Sequence, residues 1–338
     1  MVRIDYDISD DSDYLFTCAE LRTREIEFLD KNRIERMFIS EELDEFIKAL
    51  RDTVYSRYIN DIENSRSFEK VVVSEYDNTV KFLIERLKTG HKAVIEILFL
   101  EENLHNLKVI IKSIVLDMDL EKLFIPILHS YQILREAVLT GNYEEVDGSI
   151  SEVLQFAVEL IGVQKKYRFL ELELEKFYLE KVLNSIKELN SRMIRDYLKH
   201  IIDILNIKNI CRNKYLAEDL SFDYFLHKNG FLPEEYMKKF EGESLDFFVR
   251  EMEKTDYADI VAKGTHVLHS ERTFSSFEKS EDMFYIDFFD PVKFTVSNLE
   301  RIFQFFLKKK NELKYLNIIY TGILHGIDRN KIINKVKV

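Results

Sequence analysis

The sequence predicts an all-α protein, and three features of the chain support that fold class. The first is a shortage of turn residues: nine Gly and three Pro among 338 residues, about 4% against roughly 12% in average proteins. Folds rich in β-strands need frequent turns that recruit both residues. The second is that residues 1–89 and 163–229 contain neither Gly nor Pro. Apolar side chains make up 46% of the chain, and the length suits two or three units.

The third feature is helical periodicity in the middle of the chain. Apolar residues there step by three or four positions, which places one stripe along a helix of 3.6 residues per turn. The stripe predicts a helix from about residue 166 to about residue 214, continuous or interrupted, and roughly 70 Å long. It consists of Leu179, Val182, Ile186, Leu189, Met193, Tyr197, Ile201 and Ile204.

Three shorter patterns predict local structure. Val71–Val73 is interpreted as part of a helix, although a short strand is the alternative. Asp290-Pro291 suits a helix start, because the fixed φ of Pro fits the first helical position. Gly326 suits a C-terminal helix cap.

The charge and the cysteines exclude several classes of protein. The formal net charge is −12 at pH 7, whereas proteins that bind nucleic acid need basic surface to neutralise phosphates. Cys18 and Cys211 lie far apart, without the spacing of a zinc site or a disulfide framework, as in proteins of a reducing compartment.

The first 13 residues include five Asp, unlike a signal peptide. Ala93–Leu100 and Val109–Leu116 are too short to span a bilayer, so we expect a cytosolic chain whose membrane attachment is indirect.

No motif of an enzyme stands out. The sequence lacks GxxxxGK[ST] and GxGxxG, the loops that bind nucleotide phosphates. His266 and His269 form HxxH near Glu271, but this spacing lacks the i, i+4 geometry of the zinc-binding HExxH helix. We therefore expect no catalytic residue, no cofactor and no metal site. A helical enzyme with an unrecognised site stays an alternative.

Internal repetition is the most informative feature. Leu43–Tyr55 and Leu245–Tyr257 both read LDxF[IV]xx[LM]xxTxY, in which the apolar positions form a buried helical stripe and the Thr and Tyr close the helix. A second pattern, polar-x-x-[NY]-[LI]-[KN], begins at Asn103, Asp203 and Glu312, at intervals of 100 and 109 residues. These intervals predict three diverged helical units, which we assign to residues 1–115, 116–216 and 217–338.

The polar positions of the second pattern are the candidate functional residues. Residues three apart lie on one helix face, so the first interpretation is structural: these side chains anchor a neighbouring helix or loop. The alternative is direct contact with a partner protein. The candidates are Asn106, Lys108, Asp203, Asn206, Lys208 and Glu312.

Several segments carry a family resemblance: Tyr14–Arg22, Leu43–Tyr55, the N-[LI]-K motifs and Glu312–Ile327. Together they resemble the C subunit of A-type and V-type rotary ATPases, whose eukaryotic counterpart is the d subunit. The resemblance covers essentially the whole chain. It implies a non-catalytic, all-α funnel of three domains with pseudo-threefold symmetry, present once per complex on the cytoplasmic face of the membrane. Such a funnel would sit on the membrane proteolipid ring and receive the axle formed by the D and F subunits. It would serve ATP-driven or ATP-synthesising transport of protons or sodium.

The third unit departs from the family pattern. Tyr315 stands where an Asn is usual and Asn317 where a basic residue is usual, and in the first unit Asn103 replaces an acidic residue. The alternative function is a cytosolic helical-repeat adaptor unrelated to rotary motors. Solenoid repeats have periods of about 20–50 residues, so a period near 100 favours the funnel.

The C-terminal end is basic. Residues 308–338 contain eight Lys or Arg against two acidic residues. One interpretation is a solvated face; the other is that this end approaches anionic headgroups or an acidic partner surface.

Overall fold

The computed structural model describes residue 6 and residues 8–65, 67–91, 93–163, 167–217, 220–329 and 332. Over these residues the chain forms sixteen α-helices and six short 3-10 helices and contains no β-strand, which confirms the all-α prediction. The α-helices are α1 (Leu15–Glu25), α2 (Lys31–Ile39), α3 (Leu43–Leu50), α4 (Ile59–Ser65), α5 (Glu69–Arg86), α6 (Ala93–Leu98), α7 (Leu100–Val115), α8 (Tyr131–Thr140), α9 (Gly148–Val163), α10 (Tyr167–Ser185), α11 (Arg192–Leu216), α12 (Glu234–Lys238), α13 (Leu245–Met252), α14 (Ala258–Glu271), α15 (Ser275–Phe288) and α16 (Glu300–Leu324). The 3-10 helices span Ser12–Tyr14, Val54–Tyr58, Thr89–His91, Glu121–Leu123, Phe222–Tyr224 and Asp290–Phe294.

The helices form two compact units. Unit 1 combines an N-terminal segment that ends at Arg86 with a C-terminal segment that begins at Thr255. Unit 2 is the continuous segment Leu87–Lys254. The three-unit division at residues 115/116 and 216/217 concerns repeats of sequence rather than compactness, and it stays a prediction.

Unit 1 is organised around the 25-residue helix α16. This helix packs against α5, α1, α15, α3 and α2, so it carries the core that joins the N-terminal and C-terminal segments. The rings of Phe46, Phe68 and Tyr320 meet there with centroids 5.5–5.8 Å apart. α14 and α15 pack closely beside it, where Gly264 leaves room for the ring of Phe277. Burial of these aromatic side chains stabilises the unit and ties the two segments together.

Unit 2 contains the predicted long helix, which is interrupted. All eight residues of the apolar stripe are buried, but α10 ends at Ser185 and α11 begins at Arg192. Ser191 explains the restart, because its hydroxyl accepts a hydrogen bond from the N–H of Ile194 (3.1 Å) and so caps α11. The stripe correctly predicted which residues are buried, whereas the cap residue decided where the helix begins.

The shorter predictions have mixed outcomes. Val71–Val73 lies within α5, as predicted. Gly326, at φ +60°, donates its N–H to the carbonyl of Ile323 (3.1 Å) and caps the end of α16, as predicted. Asp290-Pro291 begins a five-residue 3-10 helix rather than an α-helix. Among the described residues, no helix is both long and apolar enough to cross a membrane.

The LDxF repeat is also a structural repeat. Both copies fold into eight-residue helices, α3 and α13. In each copy the Thr hydroxyl accepts a hydrogen bond from the N–H of the Tyr two residues later, at 3.2 Å for Thr53 with Tyr55 and for Thr255 with Tyr257. Both tyrosines are buried. These hydrogen bonds lie in the segment that follows each helix, and the closing role of the Thr and Tyr stays a prediction.

Candidate functional site

Asn106, on α7, holds the segment that follows its own helix. Its side-chain amide donates to the carbonyl of Ile125 (2.6 Å) and accepts from the N–H of the same residue (2.9 Å). The side chain is buried, and buried polar groups persist when they are hydrogen-bonded. One amide therefore satisfies both backbone groups of a residue 19 positions away.

Asn206, on α11, makes the same pair of hydrogen bonds. Its amide donates to the carbonyl of His227 (2.9 Å) and accepts from its N–H (2.7 Å). The sequence separation is 21 residues, close to that of Asn106 and Ile125. The structural interpretation of these two candidates thus has a geometric basis: both are clamps on the backbone beyond their helix.

Asp203 lies one turn before Asn206 and is fully buried. Its carboxylate accepts from the backbone N–H groups of Phe231 (3.0 Å) and Leu232 (3.2 Å). Gly230 is needed for this approach, because a Cβ at that position would lie 2.0 Å from Oδ1 of Asp203. A carboxylate that accepts two backbone N–H groups forms strong, charge-assisted hydrogen bonds.

Glu312, on α16, is the corresponding acidic residue of unit 1. Its carboxylate accepts from the N–H of Leu29 (2.5 Å) and from the hydroxyl of Tyr55 (2.5 Å). Leu29 directly precedes Asp30, the N-cap of α2, just as Leu232 directly precedes Pro233, the N-cap of α12. Asp203 and Glu312 therefore each accept a hydrogen bond from the backbone N–H of the residue that directly precedes the N-cap of a helix.

Glu312 belongs to a larger group of interacting polar side chains, the α16 cluster, in which α16 meets residues from α5 and the segment before α4. Lys309 donates to the hydroxyl of Tyr55 (2.7 Å) and pairs with Glu312 (3.1 Å) and Glu75 (3.6 Å). Glu75 also accepts from Tyr58 (2.6 Å) and pairs with Arg57. The members are Tyr55, Arg57, Tyr58, Glu75, Lys309 and Glu312.

The contacts within the α16 cluster shift the pKa values of two of its members, Tyr55 and Glu75. Burial, and then the adjacent charge of Glu312, raises the pKa of Tyr55 well above its ordinary value. Burial alone would raise the pKa of Glu75. The hydrogen bonds from Tyr58 and Arg57 and the charge of Lys309 lower this pKa by more than burial raises it, so its net shift is downward. Tyr55 thus stays a neutral donor, and Glu75 stays ionised.

Lys108 enters a second buried group, the Glu175 cluster. Its ammonium lies 2.5 Å from one carboxylate oxygen of Glu175, and Nε2 of His227 lies 2.7 Å from the other. Asn206 holds the backbone of the same His227. Burial raises the pKa of Glu175, but the charge of Lys108 and the contact with His227 outweigh it and lower the pKa below its ordinary value. The members are Lys108, Glu175, Asn206 and His227.

The remaining pattern positions behave differently. Lys208 is half-buried on α11 and also has an interaction partner. Asn103 donates to the hydroxyl of Tyr178 (3.0 Å). Tyr315 is buried and its hydroxyl contacts Sδ of Met283 (3.6 Å), so the amide clamp has no equivalent at this position. The departure noted in the sequence is therefore a real difference in structure.

Periodicity did not identify the glutamates, although a signal for them exists. Glu75, Glu175 and Glu281 are all buried, at 4–5% exposure, on α5, α10 and α15. They lie 100 and 106 residues apart, close to the intervals of the Asn pattern. Their partners cannot be read from spacing, because Lys309 is 234 positions from Glu75.

The basic C-terminal end is partly accounted for within unit 1. Lys309 is buried in the α16 cluster, Lys314 pairs with Asp282, and Arg329 pairs with Glu41 (3.2 Å). Lys331, Lys335 and Lys337 lie outside the described residues, so the surface interpretation stays a prediction. Across the part of the chain that the structure describes, no three His, Cys, Asp or Glu side chains are arranged to hold a metal ion.

Comparison with known proteins identifies the family. A family model described as "ATP synthase (C/AC39) subunit" matches residues 17–335. The C subunit of the A-type ATP synthase of Methanocaldococcus jannaschii is 23% identical over 295 residues, which cover 81% of this chain and 73% of that protein. The C subunit of the V-type sodium ATPase of Enterococcus hirae is 21% identical over 305 residues, covering 89% and 91%. The C subunit of the A-type ATP synthase of Methanosphaera stadtmanae is 22% identical over 291 residues, covering 80% and 73%.

These matches confirm the resemblance found in the motifs. They argue against the alternative function, a helical-repeat adaptor unrelated to rotary motors. The match extends from α1 almost to the end of the chain, so it includes both the repeated helices and the buried polar clusters. The chain therefore belongs to the ATP synthase (C/AC39) subunit family and is a non-catalytic subunit of a rotary ATPase.

Proposed function

We propose that this chain is the central-stalk rotor subunit of a V-type or A-type ATPase. In this role it is a socket that couples the axle, formed by the D and F subunits, to the membrane proteolipid ring at the cytoplasmic face. Torque passes through it during ATP-driven or ATP-synthesising transport of protons or sodium. The observation that carries the proposal is the cyclic order of the buried polar contacts.

The contacts link each proposed repeat to the next. Asn106 of the first repeat (1–115) holds Ile125 of the second (116–216). Asp203 of the second repeat holds Leu232 of the third (217–338). Glu312 of the third repeat holds Leu29 of the first. An open array of three repeats would leave the last one without a polar contact to a following repeat, so the order supports three pseudo-threefold-related domains that close into a funnel.

The buried glutamates follow the same cyclic order. Glu175 of the second repeat pairs with Lys108 of the first, and Glu75 of the first pairs with Lys309 of the third. A charge-assisted hydrogen bond such as that from Lys108 to Glu175 is about twice as strong as a neutral one. Closely packed cores, in addition, are hard to compress and transmit strain. Joints of this kind suit a part that must carry torque without yielding.

The relatives support a role in either transport mode. Two of them are named as parts of A-type ATP synthases, and one is named as part of a V-type sodium ATPase. Ion choice belongs to the ring rather than to the socket, so we propose one mechanical role for proton and sodium motors alike.

A bridging assay tests the proposal. The proteolipid ring is immobilised in detergent, the D–F axle is added, and retention of the axle is measured with and without this chain. We expect the axle to be retained only when the chain is present, and the chain to bind ring and axle separately. A chain that binds neither, or that binds both without linking them, would contradict the proposal.

A further inference from the structure

A long groove runs along unit 1 between α14, α15 and the last turns of α16. Its volume is about 1,340 Å³, and every residue that lines it belongs to unit 1. Pockets for small molecules measure about 300–1,000 Å³. The wall formed by the 14 residues of α14 is about 21 Å long. The groove is thus larger and longer than a small ligand requires.

The lining has two chemical parts. Half-buried apolar side chains come from all three helices: Val267 from α14, Met283 and Phe284 from α15, and Ile318 from α16. Exposed charged side chains accompany them, among them Asp256, Glu271 and Asp287. An apolar strip flanked by charges is the surface that an amphipathic helix recognises when it lies in a groove.

The size of the groove matches one helix. A helix of four turns is about 22 Å long and about 10 Å wide, so it fills roughly 1,700 Å³. The groove volume of about 1,340 Å³ is comparable with the volume of one such helix. A single helix is therefore an occupant of suitable size.

The charge of the groove selects the sign of the occupant. Four carboxylates and two ammonium groups line it, and the pair Asp259–Lys263 (3.1 Å) already uses one of each. The excess is acidic, and an acidic surface attracts and orients basic partners. The charged residues are Asp256, Asp259, Lys263, Glu271, Lys279 and Asp287.

We propose that this groove, between α14, α15 and α16, receives one amphipathic helix of the axle whose apolar face is flanked by Lys and Arg. This inference rests on the proposed function and assigns the axle contact to a particular surface of the chain. The apolar face of the helix lies on Val267, Met283 and Ile318. Its basic side chains lie beside Glu271 and Asp287.

Cysteine labelling tests the occupancy of the groove. Ser280 lines it on α15, whereas Glu278 on the same helix is exposed and does not. The native Cys18 and Cys211 are fully buried, so labelling by N-ethylmaleimide reports the introduced thiol. At ten times the dissociation constant, the purified D–F axle should slow alkylation of Ser280→Cys about ten-fold and leave that of Glu278→Cys unchanged. A cross-linker from Ser280→Cys should reach one axle chain only, in a helical segment rich in Lys and Arg.

Charge reversal provides the second measurement. Glu271 and Asp287 lie in the last turns of their helices, where a Lys is favoured by the helix dipole, so Glu271→Lys and Asp287→Lys should fold. Each should weaken axle binding about five- to ten-fold at low salt and less at high salt. Glu278→Lys should leave binding unchanged, and all three variants should bind the ring as the unsubstituted chain does.

The outcomes separate this inference from the proposed function. If the unsubstituted chain binds the axle, but Ser280→Cys is unprotected and the reversals have no effect, the groove assignment is wrong and the socket role stands. If the unsubstituted chain binds no axle at all, both fall.

Discussion

The carboxylate of Glu312 accepts a hydrogen bond from the backbone N–H of Leu29 at 2.5 Å, although 283 residues separate them. The same carboxylate accepts from the hydroxyl of Tyr55. Both contacts are buried, in a unit whose core also draws on the two ends of this sequence. Glu312 therefore joins α16 to the N-terminal helices through buried polar contacts. We expect its removal to destabilise unit 1.

Glu312→Ala should lower the free energy of unfolding by about 2–4 kcal/mol, because it leaves a buried N–H and a buried hydroxyl without an acceptor. Glu312→Gln keeps one acceptor oxygen and should cost less. Urea unfolding monitored by circular dichroism measures both. The exposed Glu278→Ala should stay within about 0.5 kcal/mol of the unsubstituted chain. A loss no greater for Glu312→Ala than for Glu278→Ala would show that the joint carries no stability.

Gly230→Ala should destabilise unit 2 by about 1–3 kcal/mol, because the added Cβ would lie 2.0 Å from Oδ1 of Asp203. Gly242→Ala is the matched control, since no atom lies within 4 Å of its added Cβ. In an Asp203→Ala background the destabilisation caused by Gly230→Ala should largely disappear, because that background lacks the carboxylate with which the added Cβ would clash. A double-mutant cycle with an interaction energy near zero would contradict this explanation.

Asn206→Ala should expose the backbone of His227 to exchange. Without the amide, the N–H and carbonyl of His227 lose their partners, at a cost of about 2–4 kcal/mol for two buried groups. Hydrogen exchange read by mass spectrometry should show faster exchange in the segment around residue 227. Asn184→Ala, at an exposed position on α10, serves as the control. Equal exchange in both variants would mean that the clamp is dispensable.

Acid should weaken the Glu175 cluster. The folded-state pKa of Glu175 lies below its unfolded value. Its contribution to stability is therefore complete above about pH 5 and declines as the pH falls through the unfolded pKa of about 4.3. Glu175→Gln should be less stable at neutral pH, yet lose less stability between about pH 6 and pH 3 than the unsubstituted chain. Unfolding midpoints in urea across that range measure the two slopes, and parallel slopes would exclude Glu175 as their source.

Much of the fold could be predicted from the sequence. The scarcity of Gly and Pro and the period-3.6 stripe indicated helices and their buried faces, because both depend on local rules. The interruption before Arg192 could not be predicted in the same way, since Ile186 and Leu189 continue the stripe through it and remain buried. Ser191 determines where α11 starts through one local hydrogen bond.

The candidate residues were found by repetition, but their partners were not. Spacing placed Asn206 and Asp203 on one helix face, and the structure adds which backbone groups they hold. Glu175 lies 67 positions from Lys108, and Tyr55 lies 257 from Glu312. Such pairs come together through tertiary packing, about which helical periodicity is silent. The interval that relates Glu75 to Glu175 is the signal in the sequence that could have identified the glutamates.

The composition of unit 1 also imposes an order on biosynthesis. Residues around Leu29 leave the ribosome 283 residues before Glu312, a delay of about 15–60 s at 5–20 residues per second. During that interval Phe46, Leu50 and Phe68, which α16 later helps to bury, have no covering helix. Unit 2 can be completed meanwhile, because its sequence is continuous. Truncation before α16 should therefore yield an insoluble, chaperone-bound chain rather than a shortened folded subunit.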